Sequence, residues 1–120
     1  MPTVLLTGAA GFLGSAVAAA LLARGDDVVA LVRDRDPRSR LYRDGLIDRC
    51  IEVRAELADA GRLIAEYSPD AVVHLAAQTQ VTVAADAPLS TFESNVAGTW
   101  RLLEAIRTAA RQPTRIVVAS

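Results

Sequence analysis

Short runs of consecutive apolar residues alternate along this chain with longer stretches in which apolar positions recur every three or four residues. The first pattern predicts strands covered on both faces and the second predicts helices with one buried side. Their alternation predicts βαβ units on a parallel sheet. Val4, Leu5 and Leu6 form the first run, which ends at Thr7 and Gly8. From Gly11 the spacing of Phe12, Val17, Leu21 and Leu22 predicts a helix with these residues on one face and a stop at Gly25. A second strand is expected over 28–32, a charged loop with room for one helical turn over 33–44, a third strand over 50–53 and a helix over about 57–67. Pro69 closes that helix, because a proline ring disfavours helical geometry in the residue before it. A fourth strand over 71–75 follows. Ser90 and Glu93 have the spacing of a capping box that opens a helix running to about Ala110, and a fifth strand is expected over 116–119.

Crossovers between parallel strands are right-handed almost without exception, so this order of elements predicts an α/β, doubly wound, Rossmann-type parallel sheet with strand order 3-2-1-4-5. Its cleft opens between strands one and four, beyond their carboxyl ends. The segment from Thr7 to Gly14 and the segment from His74 to Val81 both fall on its rim.

Composition narrows the function classes. A chain of 120 residues makes one domain, and its formal net charge of −1 gives no sign of a nucleic-acid partner. The single cysteine, Cys50, allows neither an internal disulfide nor a cysteine-based metal site, and reads as a small buried hydrophobe. No apolar run is long enough to span a bilayer, and the opening MPTVLLTG lacks the form of a signal peptide, so a cytoplasmic protein is expected. His74, the only histidine, sits in an apolar strand and reads as a satisfied core imidazole. Trp100, at helical spacing from Val96, Leu103 and Arg107, reads as packing, and the run 33–44 as a solvated face.

The candidate chemistry lies in TGAAGFLG. Gly8, Gly11 and Gly14 stand three apart between a strand and a helix. The first permits a tight turn, the second admits a pyrophosphate close to the backbone, and the third lets the helix pack on the strand. The free amides and partial positive charge of the helix start then attract the anion.

With this GxxGxxG spacing the chain resembles the extended short-chain dehydrogenase/reductase family of nucleotide-sugar epimerases and dehydratases. HLAA after strand four, the run from Asn95 to Thr99 and the closing VVAS resemble that family's successive landmarks. HLAAQTQV, PLSTFESNVAGTW and RLLEAIR resemble 4,6-dehydratases of the CDP-glucose and GDP-mannose kind. The resemblance implies an incomplete NAD(P)-binding Rossmann domain over 1–120, cut before its last strands and its substrate lobe. It implies that Gly8, Gly11, Phe12, Leu13 and Gly14 meet the pyrophosphate, and that Ala76 and Ala77 lie along the riboses. Thr79 would touch the sugar of a nucleotide-sugar substrate, and Asn95 would face the cofactor cleft. Glu56 and Leu57 stand where the family has an Asp that contacts adenine, the longer Glu being a departure. A homodimer is implied as well.

Cofactor choice turns on the end of strand two. The position of the family's acidic ribose ligand holds Val32, with Arg33 beside it. A guanidinium accepts the 2′-phosphate of NADP, so NADP is favoured slightly over NAD, while Asp34 or Asp36 turned inward would reverse the preference. In the family a Tyr-x-x-x-Lys pair removes the sugar hydroxyl proton. All thirteen cationic residues here are arginine, so neither Tyr42 nor Tyr67 has such a partner, and Ser120 is the nearest remnant of the family's Ser or Thr. No catalytic residue is therefore assigned, and the chain is expected to bind without turnover. Two rivals stay open: a non-catalytic module that senses NAD(P), and an oligomerisation piece.

Overall fold

The computed structural model describes residues 2–76 and 96–119. The strands are β1 (Thr3–Thr7), β2 (Asp27–Val32), β3 (Ile51–Arg54), β4 (Ala71–His74) and β5 (Arg115–Val118). The helices are α1 (Phe12–Arg24), a single turn α2 (Arg40–Arg43), α3 (Ala60–Tyr67) and α4 (Gly98–Ala109). All strand pairings are parallel and the order is β3-β2-β1-β4-β5, the doubly wound arrangement expected from the sequence.

Consecutive apolar residues in β1 and β2 divide between two cores, because successive side chains on a strand point to opposite faces. Leu5, Val29, Leu31 and Val72 pack against Leu63 and Ile64 of α3 and Leu102 and Ile106 of α4. On the other face Leu6, Val28, Ala30 and Val32 pack against Ala18 and Leu22 of α1, with Leu41 and Ile47 from the segment between β2 and β3. β1 and β2 are therefore sealed on both sides past their first residue, while every residue of β5 is exposed.

Helix ends follow local chemistry. Gly25 takes a left-handed conformation at φ 89°, and the amides of Gly25 and Asp26 donate to the carbonyls of Leu22 and Leu21. At the end of α3, Ser68 turns left-handed at φ 45° ahead of Pro69, and its amide still donates to Ile64.

Several sequence expectations need correction. Phe12 is 99 % exposed, and the buried face of α1 is the narrow set Gly14, Ser15, Ala18 and Leu22. Phe12 opens α1 and falls outside the set of residues by which that helix packs. Trp100 is 70 % exposed, because the packed side of α4 carries Gly98, Leu102 and Ile106, four residues apart, and Trp100 falls between them. Cys50 is only half-buried. Its thiol donates to the Leu46 carbonyl at 3.4 Å, and burial pushes the thiol pKa up. The helix expected over 57–67 begins as a 3-10 turn, Leu57–Asp59, before α3. The capping box at Ser90 and Glu93 lies outside the described residues.

The charged run 33–44 is more ordered than a solvated face. Ser39 caps α2 by accepting from the Leu41 amide, and Leu41 is fully buried. Arg35 makes two 3.1 Å bonds to the Glu52 carboxylate and lies over the Tyr42 ring at 5.2 Å. Tyr42 donates its hydroxyl to the same carboxylate at 2.8 Å. Burial, and then this bond to Glu52, push the Tyr42 pKa up to about 12.

Among the described residues no helix is long and apolar enough to cross a membrane. No group of three His, Cys, Asp or Glu among them could hold a metal ion.

Candidate functional site

The sheet reverses its winding between β1 and β4, and the turn from Gly8 to Gly11 crosses that gap into α1. Gly8 has φ 70°, and a Cβ on it would lie 2.7 Å from the Ala76 amide nitrogen and the Leu75 carbonyl carbon. A Cβ on Gly14 would collide with the Gly8 carbonyl. Both positions therefore exclude any side chain on packing grounds alone. Gly11 differs: its φ is −73° and an added Cβ would meet only the Gly8 carbonyl oxygen, at 3.3 Å. What glycine contributes at Gly11 is open space on the cleft side.

The turn also controls its own charge. The carbonyls of Gly8, Ala9 and Ala10 accept from the Gly11 amide at 3.1 Å, the Ser15 hydroxyl at 3.0 Å and the Ser39 hydroxyl at 2.6 Å. Three successive negative dipole ends are thus engaged inside the protein. No side chain caps the start of α1 and its first turn holds no acidic residue. The amides of Phe12, Leu13 and Gly14, which have no partner one turn back in the helix, are left as a positive end suited to an anion.

The opposite wall is fixed by Thr7. Its buried hydroxyl oxygen accepts from the amides of Leu75 at 3.1 Å and Ala76 at 3.2 Å, and stands 2.7 Å from Nδ1 of His74. With both acceptor positions taken, the hydroxyl proton goes to Nδ1. The proton of a neutral imidazole then sits on Nε2, which donates to the Thr99 hydroxyl at 3.1 Å. Burial pushes the His74 pKa down, in keeping with the neutral ring. His74 is the satisfied core histidine expected, and it ties β1, β4 and α4 together. Past the end of β4 the Leu75 amide is shared between the Thr7 carbonyl at 3.3 Å and the Thr7 hydroxyl, and the Ala76 amide goes to the hydroxyl.

Between these walls lies a cleft of about 710 Å³. Of the residues singled out from sequence, Gly8, Gly11, Arg33, Glu56, Leu57 and Ala76 line it. Phe12, Leu13 and Gly14 form the helix start at its edge, Phe12 and Leu13 exposed. Ala77, Thr79, Asn95 and Ser120 lie outside the described residues. At the rim Arg33 reaches Glu56, Nε to Oε1 3.8 Å, and Asp34 at 4.0 Å. The Glu56 backbone is held by its amide, which donates to the Asp59 carboxylate at 3.0 Å. No His, Tyr or Cys is among the described residues lining the cleft. A second hollow, about 760 Å³, opens at the other end of the strands around Asp26, Asp70 and Arg115, with no glycine among its described lining residues.

Sequence reasoning missed three parts of this site. Thr7 reads as a plain strand residue, yet its partners are 67 to 69 positions away, beyond any local signal. Gly98 and Arg101 also line the cleft. Their spacing of three along one helix face is the signal that was available for them.

The family model described as GDP-mannose 4,6 dehydratase matches residues 5–120. UDP-glucuronate 4-epimerase 3 of Arabidopsis thaliana is 40% identical over 98% of this chain and 29% of its own length. dTDP-glucose 4,6-dehydratase 1 of Escherichia coli K12 is 37% identical over 87% of this chain and 30% of its own length. Among solved structures, the UDP-glucose-4-epimerase of Stenotrophomonas maltophila, with bound NAD and formylated UDP-arabinopyranose, superimposes with a TM-score of 0.81 at 32% identity. It covers 97% of this chain, which spans 36% of that one. The chain thus spans about a third of the length of the proteins it matches. A family-model match over nearly every residue, joined to a doubly wound sheet with a glycine turn at its switch point, makes this chain a member of the GDP-mannose 4,6 dehydratase family of nucleotide-sugar epimerases and dehydratases.

Proposed function

We propose that residues 1–120 form the dinucleotide-binding part of a nucleotide-sugar 4,6-dehydratase, with a 4-epimerase as the second reading of the whole protein. The observation that carries the cofactor half of this reading is the turn itself. It has three engaged carbonyls, an uncapped helix start, and glycines at two positions where a Cβ would clash with the backbone. A diphosphate fits that cradle. The amides of Phe12, Leu13 and Gly14 bind it, and Gly11 gives it room. Leu57 and Ala76 flank the adenosine, and Ala77, Thr79 and Asn95 are assigned to the riboses, the sugar substrate and the cofactor cleft.

A bound NAD(P) supplies a hydride acceptor that takes hydrogen from the sugar and returns it. The residues of this chain bind and orient that group. They do not move the proton, because the Tyr-x-x-x-Lys pair that does so in the family is absent from a chain without lysine. The rival reading is a module that binds NAD(P) and regulates a partner. The exposed Trp100 and Leu103 on α4, with Val96 just before it, suit a homodimer, and a cytoplasmic location suits the cofactor.

NADP is assigned over NAD, because Val32 stands where a carboxylate would select the free ribose hydroxyl and Arg33 beside it lines the cleft rim. Titration calorimetry with each cofactor tests this. Arg33→Ala is expected to weaken NADP about tenfold and NAD less than about twofold, and equal losses would remove Arg33 from the assignment. A 4-keto sugar formed from CDP-glucose or GDP-mannose by the whole protein would support the dehydratase. An epimer alone would support the epimerase, and no product from either sugar or from a UDP sugar would leave the binding module.

A further inference from the structure

The ion pairs of the segment after β2 are not alike. Arg35 holds Glu52 at 3.1 Å, Arg38 holds Asp36 at 3.2 Å, and Arg40 and Arg43 hold Asp44 at 3.4 and 3.2 Å. Each of these cations has a close carboxylate away from the cleft lining. Arg33 is the exception, with its two carboxylates at 3.8 and 4.0 Å, the longest ion pairs among the described residues. It is also the member of this set that lines the cleft, together with both of its partners, Asp34 and Glu56. Arg33 and Glu56 follow the ends of the adjacent strands β2 and β3 and meet across the same rim, and both side chains are largely in solvent, at 73% and 68% exposure. An exposed pair this long is weak, so a ligand group competes with it readily.

We propose that Glu56 is a specificity-determining residue that sets the ratio of NADP to NAD binding by competing with the 2′-phosphate for Arg33. The proposal rests on the reading of this cleft as a dinucleotide site. Without a 2′-phosphate the Arg33–Glu56 pair spans the rim over the ribose, and the Glu56 carboxylate is available to accept from the 2′-hydroxyl. With a 2′-phosphate, Arg33 must exchange one anion for another, and the displaced Glu56 carboxylate then repels the dianion beside it. Glu56 therefore opposes NADP twice and NAD not at all. An aspartate would be one methylene shorter and would not reach across to Arg33, so the departure from the family's Asp acquires a function here. The Glu56 amide donates to the Asp59 carboxylate and the Glu56 side chain in turn accepts from the Asp59 amide; a glutamine oxygen can accept that bond too, so Glu56→Gln keeps the capping box while removing the charge.

The test is a double-mutant cycle on the full-length protein, with dissociation constants for NADP and NAD measured at low and at high salt. Glu56→Gln is expected to tighten NADP about three- to tenfold and to change NAD by less than about twofold, the scale of a rim charge pair. In an Arg33→Ala background the same change should tighten NADP by less than about twofold, because the competition is gone. Glu56→Asp, which keeps the charge and loses the reach, should give a gain for NADP smaller than that of Glu56→Gln. High salt should shrink all of these differences. An unchanged NADP-to-NAD ratio in Glu56→Gln, equal gains for both cofactors, or a gain undiminished by Arg33→Ala would each overturn the proposal. Unaltered protein that binds neither cofactor would overturn the cleft reading and this proposal with it, and that result is visible before any variant is made.

Discussion

The two ends of the cleft are made of different materials. At the glycine turn, backbone does the work: carbonyls of three consecutive residues are engaged internally, amides are left over, and two positions exclude any side chain. At the rim, long exposed side chains meet at 3.8 to 4.0 Å and nothing buried depends on them. The first end is coupled to folding, since a change there disturbs the contact between β1, α1 and the exit of β4. The second end touches the fold only through the capping box of Glu56 and Asp59. A cleft built this way can change its rim side chains without disturbing the backbone of the glycine turn.

The sharpest way to break the contrast is within the turn. Gly14→Ala drives a Cβ into the Gly8 carbonyl and is expected to cost about 3 kcal/mol of stability, read as a lower denaturation midpoint. Gly11→Ala meets only one oxygen, at 3.3 Å, so its midpoint should move by less than about 4 °C, while cofactor affinity falls about tenfold or more because the methyl occupies the ligand's space. If the two variants behave alike, the division between folding glycines and a ligand glycine is wrong.

The Thr7 to His74 tie gives a pH test of the wall opposite the turn. Burial lowers the folded-state pKa of His74 below its ordinary value of 6.5, so the unfolded chain takes up a proton that the folded chain resists. The contribution of this group is complete above pH 6.5 and is lost as pH falls from there toward the folded pKa, by at most about 1.4 kcal/mol per pH unit for one proton. Urea midpoints measured from pH 7.5 down to 5.5 should show this slope, and His74→Gln should flatten it. The smallest effect is expected at the hinge between the two ends, where the Ser39 hydroxyl caps α2 and donates to the Ala10 carbonyl. Ser39→Ala should cost about 1 kcal/mol, and a urea midpoint unchanged by it would show that the loop stands without the tether.

How far the sequence could be read tracks the range of the interactions involved. Strand order was legible because β1 and β2 are apolar along their length and right-handed crossovers leave few alternatives. The glycine turn was legible because all its parts lie within eight consecutive residues. Phe12 was misread because helical spacing reports which residues share a face but not which of them the helix packs by. Trp100 was misread for a related reason: Val96, Trp100 and Leu103 do share a stripe, and the fold turns that stripe outward. Thr7 and the pairing of Arg33 with Glu56 depend on contacts 23 to 69 residues apart, which periodicity cannot carry.

The convergence of three hydrogen bonds on one hydroxyl oxygen has a kinetic consequence. The Ala76 amide and the His74 ring share the Thr7 hydroxyl, and the Leu75 amide is held by both that hydroxyl and the Thr7 carbonyl at 3.3 Å, so release of any one disturbs the others. The floor under the ligand opens as one cooperative unit or stays shut. Most openings that expose this floor to water should then involve loss of the whole sheet, which makes the gap between β1 and β4 among the slowest-breathing parts of a small domain.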